Sequence, residues 1–299
     1  MRCDRSTIFL ASGALLLATF SEAQVHRTFV GVAGNDGNDC LTAATACRTI
    51  NGAVGKVDTE GEVIIVSTGS YAGAVITKSV RINAPSGIVA FAALPITINV
   101  PSGTVSIRGL TIKAATPGSG IGIDVTNVGT LMLERMVVDG WLEGLRLGAA
   151  GTKTSISDSV FRNNSDNGIR FDAASNTSIV RSRFERNLRG FEITSGIGAT
   201  VSVSRSSFTG NFNGFSAFSG FVAVDRCLLA NNSNFGLFAN SGAVVRLSNS
   251  SISGNGTGVS IPAGGVVETL FATGTIFTNG IGGNTINDVS GTLTPVALR

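Results

Sequence analysis

Charge is scarce in this chain. Only 14% of its 299 residues are Asp, Glu, Lys or Arg, and the formal net charge is +3. So small an excess leaves no electrostatic footprint for nucleic acid. Histidine is almost missing: His26 is the single one, so acid–base or metal chemistry built on imidazole has nothing to assemble from. Aromatic residues are lopsided, with one Trp and one Tyr against 17 Phe, and there are only six Pro. Beyond the N-terminus no segment approaches the roughly 20 apolar residues of a membrane-spanning helix. What is abundant is glycine, 39 residues. Glycine-rich, charge-poor and Phe-rich sequence suits many short β segments with glycine at the bends and phenylalanine in a buried stack.

The N-terminus reads as an export signal. Arg2 and Arg5 precede an apolar stretch from Ile8 to Phe20, followed by the small-residue cleavage site Ser21-Glu22-Ala23. Residues 1–23 are therefore expected to be removed, and the protein to be secreted or periplasmic, with no membrane span in the mature chain. Cysteine usage fits export. Cys3 leaves with the signal, and Cys40 and Cys47 lie close enough in one loop to form a local disulfide in an oxidising compartment. Cys227 is left alone and, with no histidine after it to act as a base, reads as a buried thiol rather than a nucleophile.

The decisive signal is an internal repeat. An apolar residue is followed five positions later by a second, then by Asn three positions on. The first anchors are Ile107, Leu133, Ile156, Ile179, Val203, Val224, Leu247 and Phe271. Their partners are Ile112, Val138, Phe161, Phe184, Phe208, Leu229, Ile252 and Ile276. Asn164, Asn187, Asn211, Asn232, Asn255 and Asn279 complete six consecutive registers, and Gly120, Gly144, Gly168, Gly190, Gly214, Gly236 and Gly258 each open the next apolar-x-apolar strand. A period of 21 to 26 residues with short strands and no helical segment matches a coil of a parallel β-helix. It lacks the leucine-rich-repeat signature and is too short for a propeller blade. Stacked coils turn each repeated position into a physical column with a spacing of about 4.8 Å. The Phe/Leu/Ile column is then an internal apolar stack. The Asn column is a turn ladder of left-handed residues bonded coil to coil through their amides, which accounts for these asparagines without glycosylation at their Asn-x-Ser/Thr sequences.

Upstream, Val63–Val66, Ala74–Ile76, Val80–Ile82 and Ile96–Ile98 are shorter β runs, and Ile50, Ala53, Val54 and Val57 follow helical spacing. The helix is expected to cover the open first coil. Three segments result: signal 1–23, entry segment 24–60 with the disulfide loop and helix, and β-helix 61–299 with a closing strand between Asn284 and Leu298. The fold class expected is all-β, a parallel β-helix of roughly ten coils.

The run Ile156-Ser157-Asp158-Ser159-Val160-Phe161-Arg162-Asn163-Asn164 followed by Gly168-Ile169 resembles the repeat of the pectate-lyase-like superfamily. The stretch from Thr28-Phe29-Val30 through Gly34-Asn35-Asp36-Gly37 to Cys47-Arg48-Thr49-Ile50 resembles the entry segment of secreted bacterial right-handed β-helix proteins. The resemblance spans residues 28–299 and implies a right-handed helix. That fold carries lyases, hydrolases, epimerases and non-catalytic adhesins, so it implies no single activity.

Of the sets such enzymes need, the sequence shows no Asp-Asp pair, no Gly-His-Gly and no Asp-Pro-His-Asp-like run. Stacking instead singles out two groups. The outward positions after each glycine are Arg146, Arg170, Glu192, Ser216, Phe238 and Ser260, and with Asp172 they offer Arg170, Asp172 and Glu192 as the candidates for a catalytic set. If that set served a polysaccharide lyase, the resemblance implies bound Ca²⁺; otherwise no cofactor or metal is expected. Two residues after the first anchors stand Arg135, Asp158, Arg181, Arg205 and Arg226, with Arg183, Arg186 and Arg189 adding charge to the same stretch. Like charges at about 5 Å repel unless something anionic lies along them, so Arg181, Arg205 and Arg226 are the binding candidates, for an acidic polysaccharide or cell surface. Trp141, at the head of the Asn column, reads as a buried cap rather than a sugar platform. The preferred function is a non-catalytic, monomeric extracellular β-helix; a lyase with a divergent site is the alternative.

Overall fold

The computed structural model describes residues 25–262, 264–271 and 279–297. The proposed signal, with Cys3, lies outside the described residues, as do Ile276 and the end of the closing strand at Leu298. The remainder is a right-handed parallel β-solenoid in which every named strand pair is parallel. Each coil contributes three strands, one to each of three faces. Typical strands are Lys153–Ser157 on face 1, Val160–Arg162 on face 2 and Asn167–Phe171 on face 3. Face 2 is a ten-stranded sheet, one strand per coil. Faces 1 and 3 form one twenty-stranded sheet because Ile96–Arg108 and Ile121–Glu134 run through both without a break. These two long strands replace the pairs of short ones expected from sequence.

The entry segment is built into the first coils. Strand Arg27–Val30 already pairs with Glu62–Ile65 on face 1, and Cys40 is joined to Cys47 by a disulfide. The helix Ile50–Lys56 buries Ile50, Ala53 and Val54 against those strands. Gly52 and Gly55 make it a poor helix by propensity, so capping and packing hold it. Thr49 Oγ1 accepts from Gly52 N, and Asp36 accepts from Arg48 N, Thr49 N and Thr49 Oγ1.

The interior follows the repeat. Phe161, Phe184 and Phe208 are fully buried and stack with ring centroids 5.4 and 4.6 Å apart. A second stack, Phe191 on Phe215 at 4.6 Å, meets it edge-on. Each such side chain contributes about 1.5–3 kcal/mol by burial, and each aromatic pair about 1 kcal/mol more. The glycine column keeps this interior tight. A Cβ on Gly190 would stand 2.2 Å from Gly214 O and 2.6 Å from the Phe208 ring, so close approach of neighbouring coils, not a left-handed backbone, demands glycine there. The column begins at Gly122 rather than Gly120, because Leu145 pairs with Ile123; Gly120 sits in the preceding turn with φ +68°.

The asparagine ladder is a continuous chain of bonds. In each coil Oδ1 accepts both the backbone N–H and the side-chain amide of the Asn one coil earlier, as Asn211 Oδ1 does from Asn187 at 2.9 and 3.1 Å. Nδ2 also donates to the carbonyl of the anchor one coil back, Asn211 to Phe184 at 3.0 Å. The left-handed residue is not this Asn but the one before it: Asn163, Arg186, Gly210, Asn231 and Gly254. Placing the kink one residue earlier turns the Asn itself inward, and Asn164, Asn187, Asn211, Asn232 and Asn255 are all at most 4% exposed. Trp141 occupies the same slot: its backbone N–H donates to Asn164 Oδ1 and its indole Nε1 to Ile112 O.

In the last coil the register departs from the sequence repeat. Asn255 bonds to Asn284, 29 residues on, and Ile252 pairs with Ile281. Leu247 pairs with Thr269, not Phe271. An insertion in this coil therefore shifts the expected anchors: Ile281 and Asn284 hold the places assigned to Ile276 and Asn279. Asn279 instead accepts from Ser250 N, in a second ladder that the sequence did not reveal. There Ser159, Ser182, Ser206, Cys227 and Ser250 stand two residues before each second anchor. Ser182 N donates to Ser206 Oγ, and each hydroxyl donates to the carbonyl two residues earlier.

Candidate functional site

Two charged groups stand out on the surface. The first lies on face 3, where Arg146, Arg170, Glu192, Ser216, Phe238 and Ser260 occupy one column in the expected order. Arg170 bonds Asp172 at 2.7 Å, but its second partner is Glu143, one coil back, at 2.9 Å. Glu192 turns to Arg189 at 3.5 Å, and Arg189 also meets Asp166 at 2.6 Å. The expected trio Arg170, Asp172 and Glu192 is thus divided between two ion-pair groups, and Glu143, Asp166 and Arg189 belong with it. Arg146 forms a two-bond pair with Asp124.

Glu143 is only 6% exposed, and burial, outweighing Arg170, holds its carboxyl above the usual carboxylate range. Arg170 is raised as well, but by its partners rather than by burial: its hydrogen bond to Asp172, with charge from Asp172 and Glu143, fixes it as a cation above the normal guanidinium range. A guanidinium so held is a poor proton acceptor, which bears directly on a lyase base at this position. Two neighbours are left incomplete. Glu143 Oε2 has no hydrogen-bond partner, and in fully buried Asn167 neither amide atom has one. An unpaired buried polar group costs about 1–3 kcal/mol.

The second group is the turn between faces 1 and 2. Arg135, Asp158, Arg181, Arg205 and Arg226 stack there, all left-handed with φ between 48° and 53°. For a non-glycine residue that conformation costs about 1–2 kcal/mol. Gly109 and Asn249, at equivalent turns, occupy it more cheaply. The row is partly neutralised: Arg181 makes two 2.7 Å bonds to Asp158, which hold that carboxyl below its usual range, and Arg226 lies 3.5 Å from Asp225. Arg205 makes no salt bridge among the described residues. The other three arginines do not join the row. Arg183 pairs with Glu185 on face 2, Arg186 donates to Asn163 at the Asn turn, and Arg189 opens a face 3 strand. Side chains of successive strands point to different faces, so proximity in sequence does not become proximity in space.

Trp141 is 4% exposed and presents no ring for stacking. Cys227 fills a serine-ladder slot, its Sγ donating to Asp225 O, and burial pushes its thiol up to about 11. Among the described residues no three His, Cys, Asp or Glu side chains converge as a metal-binding set, and no helix is long and apolar enough to cross a membrane.

Sequence signals for the missed residues exist. Partners in opposite charge recur about one period apart: Asp124 and Arg146, Asp139 and Arg162, Asp158 and Arg181, Asp166 and Arg189.

Comparison with known proteins agrees with this architecture. No curated protein matches the chain. Among solved structures, the crystal structure of pectate lyase Pel9A shares 13% identity over 92% of this chain and 78% of that chain, with a TM-score of 0.45, too low to bear on the chemistry here. The family described as right handed beta helix region matches residues 96–286. With that match covering most of the chain and the parallel register continuous through it, the protein belongs to the right-handed β-helix family.

Proposed function

We propose that the protein is an exported, non-catalytic β-helix that holds an acidic polysaccharide along the row of Arg181, Arg205 and Arg226. One observation carries this reading: arginine is kept at a left-handed turn position where glycine or asparagine serves the backbone better. The side chains, not the turn, account for that choice. Stacked with a coil spacing of about 4.8 Å, they offer a linear array of guanidiniums to carboxylates spaced along a polymer. Export is supported by the Arg2/Arg5 and Ile8–Phe20 pattern and by the Cys40–Cys47 disulfide, which persists in an oxidising compartment. No cofactor enters this reading.

The test is calorimetric titration with polygalacturonate and alginate oligomers. Binding is expected, weakening steeply with added salt and falling at least about tenfold in an Arg181→Ala, Arg205→Ala double variant. Binding that survives the double variant sinks the assignment to this row. In parallel, the same polymers are followed for unsaturated uronate by absorbance. Product formation that disappears in Arg170→Ala would establish a lyase instead.

A further inference from the structure

The N-terminal part of face 1 holds a cleft that takes no part in the arginine row or in the ion pairs of face 3. Its volume is about 280 Å³, and Glu60, Ser79, Val80, Arg81, Thr104 and Met132 line it. The register explains its shape. Arg81, Ser106 and Met132 stand in one column on three successive coils, and each lies between two buried neighbours and so faces outward. Small Ser106 leaves a trough between two long side chains whose backbones are about 10 Å apart. The same column continues through Ser155, Ser178 and Ser202. Met132, 40% exposed, is therefore a lone large apolar side chain rising from a run of serines.

The charged walls are unused by the fold. Arg81 and Glu60 are both exposed, and among the described residues neither enters an ion pair. The Arg81 guanidinium gives one hydrogen bond, from Nη2 to the backbone carbonyl of Glu60 at 3.1 Å, and its other donors remain free. Glu62, the carboxylate beside Arg81 in the register, is taken by Arg27 at 3.1 Å. Glu60 is held left-handed with φ 67°, a conformation that glycine or asparagine adopts at lower cost. Its backbone N–H is tied to Ser79 O, which fixes where the carboxylate starts. Ser79 is itself more than nine-tenths buried. Its Oγ accepts from Thr104 N at 3.0 Å, and its own proton has no acceptor among the described residues.

These groups select a ligand. An anion meets Glu60 and a cation meets Arg81, whereas a molecule carrying both charges satisfies the two walls together. The volume corresponds to roughly nine waters at about 30 Å³ each, hence to about nine non-hydrogen atoms. That is the size of one amino acid and far too small for an oligosaccharide. The Met132 thioether supplies an adaptable apolar contact.

We propose that the cleft binds a single free α-amino acid with an apolar side chain. Its carboxylate bonds to Arg81 and the Ser79 hydroxyl, its ammonium to Glu60, and its side chain lies on Met132. The site stands two coils before Arg181 and takes a monomer without net charge, so this reading and that of an acidic polysaccharide fail separately.

Titration calorimetry with L-methionine and L-leucine tests it, against N-acetyl-L-methionine, L-methionine amide and glycine. Methionine or leucine is expected to bind with a dissociation constant under about 1 mM. The two blocked analogues, each lacking one charge, and glycine, lacking the side chain, should bind at least about tenfold more weakly. Glu60→Gln and Arg81→Gln, both at exposed positions, should each weaken methionine binding at least about tenfold. The analogues need no variant, so the test survives a variant that fails to fold. No heat with either amino acid at about 10 mM, equal binding of the blocked analogues, or binding indifferent to both Gln variants overturns the proposal.

Discussion

The short strands of face 2 are flanked by two turns built on one plan and used differently. In both, a left-handed residue is followed by an inward side chain that accepts from the backbone of the preceding coil: serine at the turn from face 1, asparagine at the turn to face 3. At the asparagine turn the left-handed slot is filled mainly by Gly and Asn, the residues that tolerate it. At the serine turn it is filled mainly by Arg. The asparagine ladder runs unbroken from Asn164 to Asn284, whereas in the serine ladder Cys227 takes one slot. Only the second turn projects more than the fold uses, and the difference separates what holds the solenoid together from what it displays.

The largest effect expected is on the closed side. Asn211→Ala deletes four bonds and strands Asn187 N–H and Phe184 O in the interior, so a loss of about 3–5 kcal/mol is expected in denaturant unfolding. A loss under about 1 kcal/mol would mean the ladder decorates the turn rather than holding it. Ser206→Ala, which removes the acceptor of Ser182 N and a donor to Ser204 O, should cost less, about 1–2 kcal/mol. Equal losses at the two sites would erase the distinction between amide and hydroxyl ladders.

The face 3 cluster gives a pH test. Burial raises the folded Glu143 carboxyl above its unfolded value. Its favourable contribution is therefore complete below the unfolded value and is lost as pH rises through the folded one. Parallel melts of the protein and Glu143→Gln from about pH 4 to about pH 7 should show the variant gaining relative stability as pH rises. A constant offset would show that Glu143 does not titrate in this range. The smallest stability effect falls on the displayed side. Arg205→Gly should leave stability within about 0.5 kcal/mol, relief of the left-handed strain offsetting the entropy of glycine, while acidic-glycan binding drops. A marked destabilisation would return Arg205 to the structural account.

How much of this was legible in the sequence varies by column. Phe161, Phe184 and Phe208 and the asparagines from 164 to 255 were readable because large apolar and amide side chains recur at fixed offsets and nothing else explains them. The serine ladder escaped because serine is common in any β-rich chain, although its offset from the anchors is just as regular. In the last coil the fixed period misled: extra residues move the anchors to Ile281 and Asn284, and periodicity cannot see an insertion. Glycine was placed two residues early, at Gly120 rather than Gly122, because spacing alone does not distinguish a turn glycine from one at a close approach. Of the face 3 cluster, Arg170 and Asp172 were legible as neighbours. Glu143 was not, since it reaches Arg170 from a different column of the preceding coil.

One consequence concerns force. The hydrogen bonds of both ladders and of all three faces run between coils, along the solenoid axis. Tension applied end to end therefore loads coil–coil contacts in series, and the weakest yields first. With 21 to 24 residues separating successive ladder asparagines in the regular part, each coil that peels away releases roughly 75 Å of chain. A polymer gripped along several coils would bridge those contacts and share the load, so that a bound ligand acts as a splint along the rod.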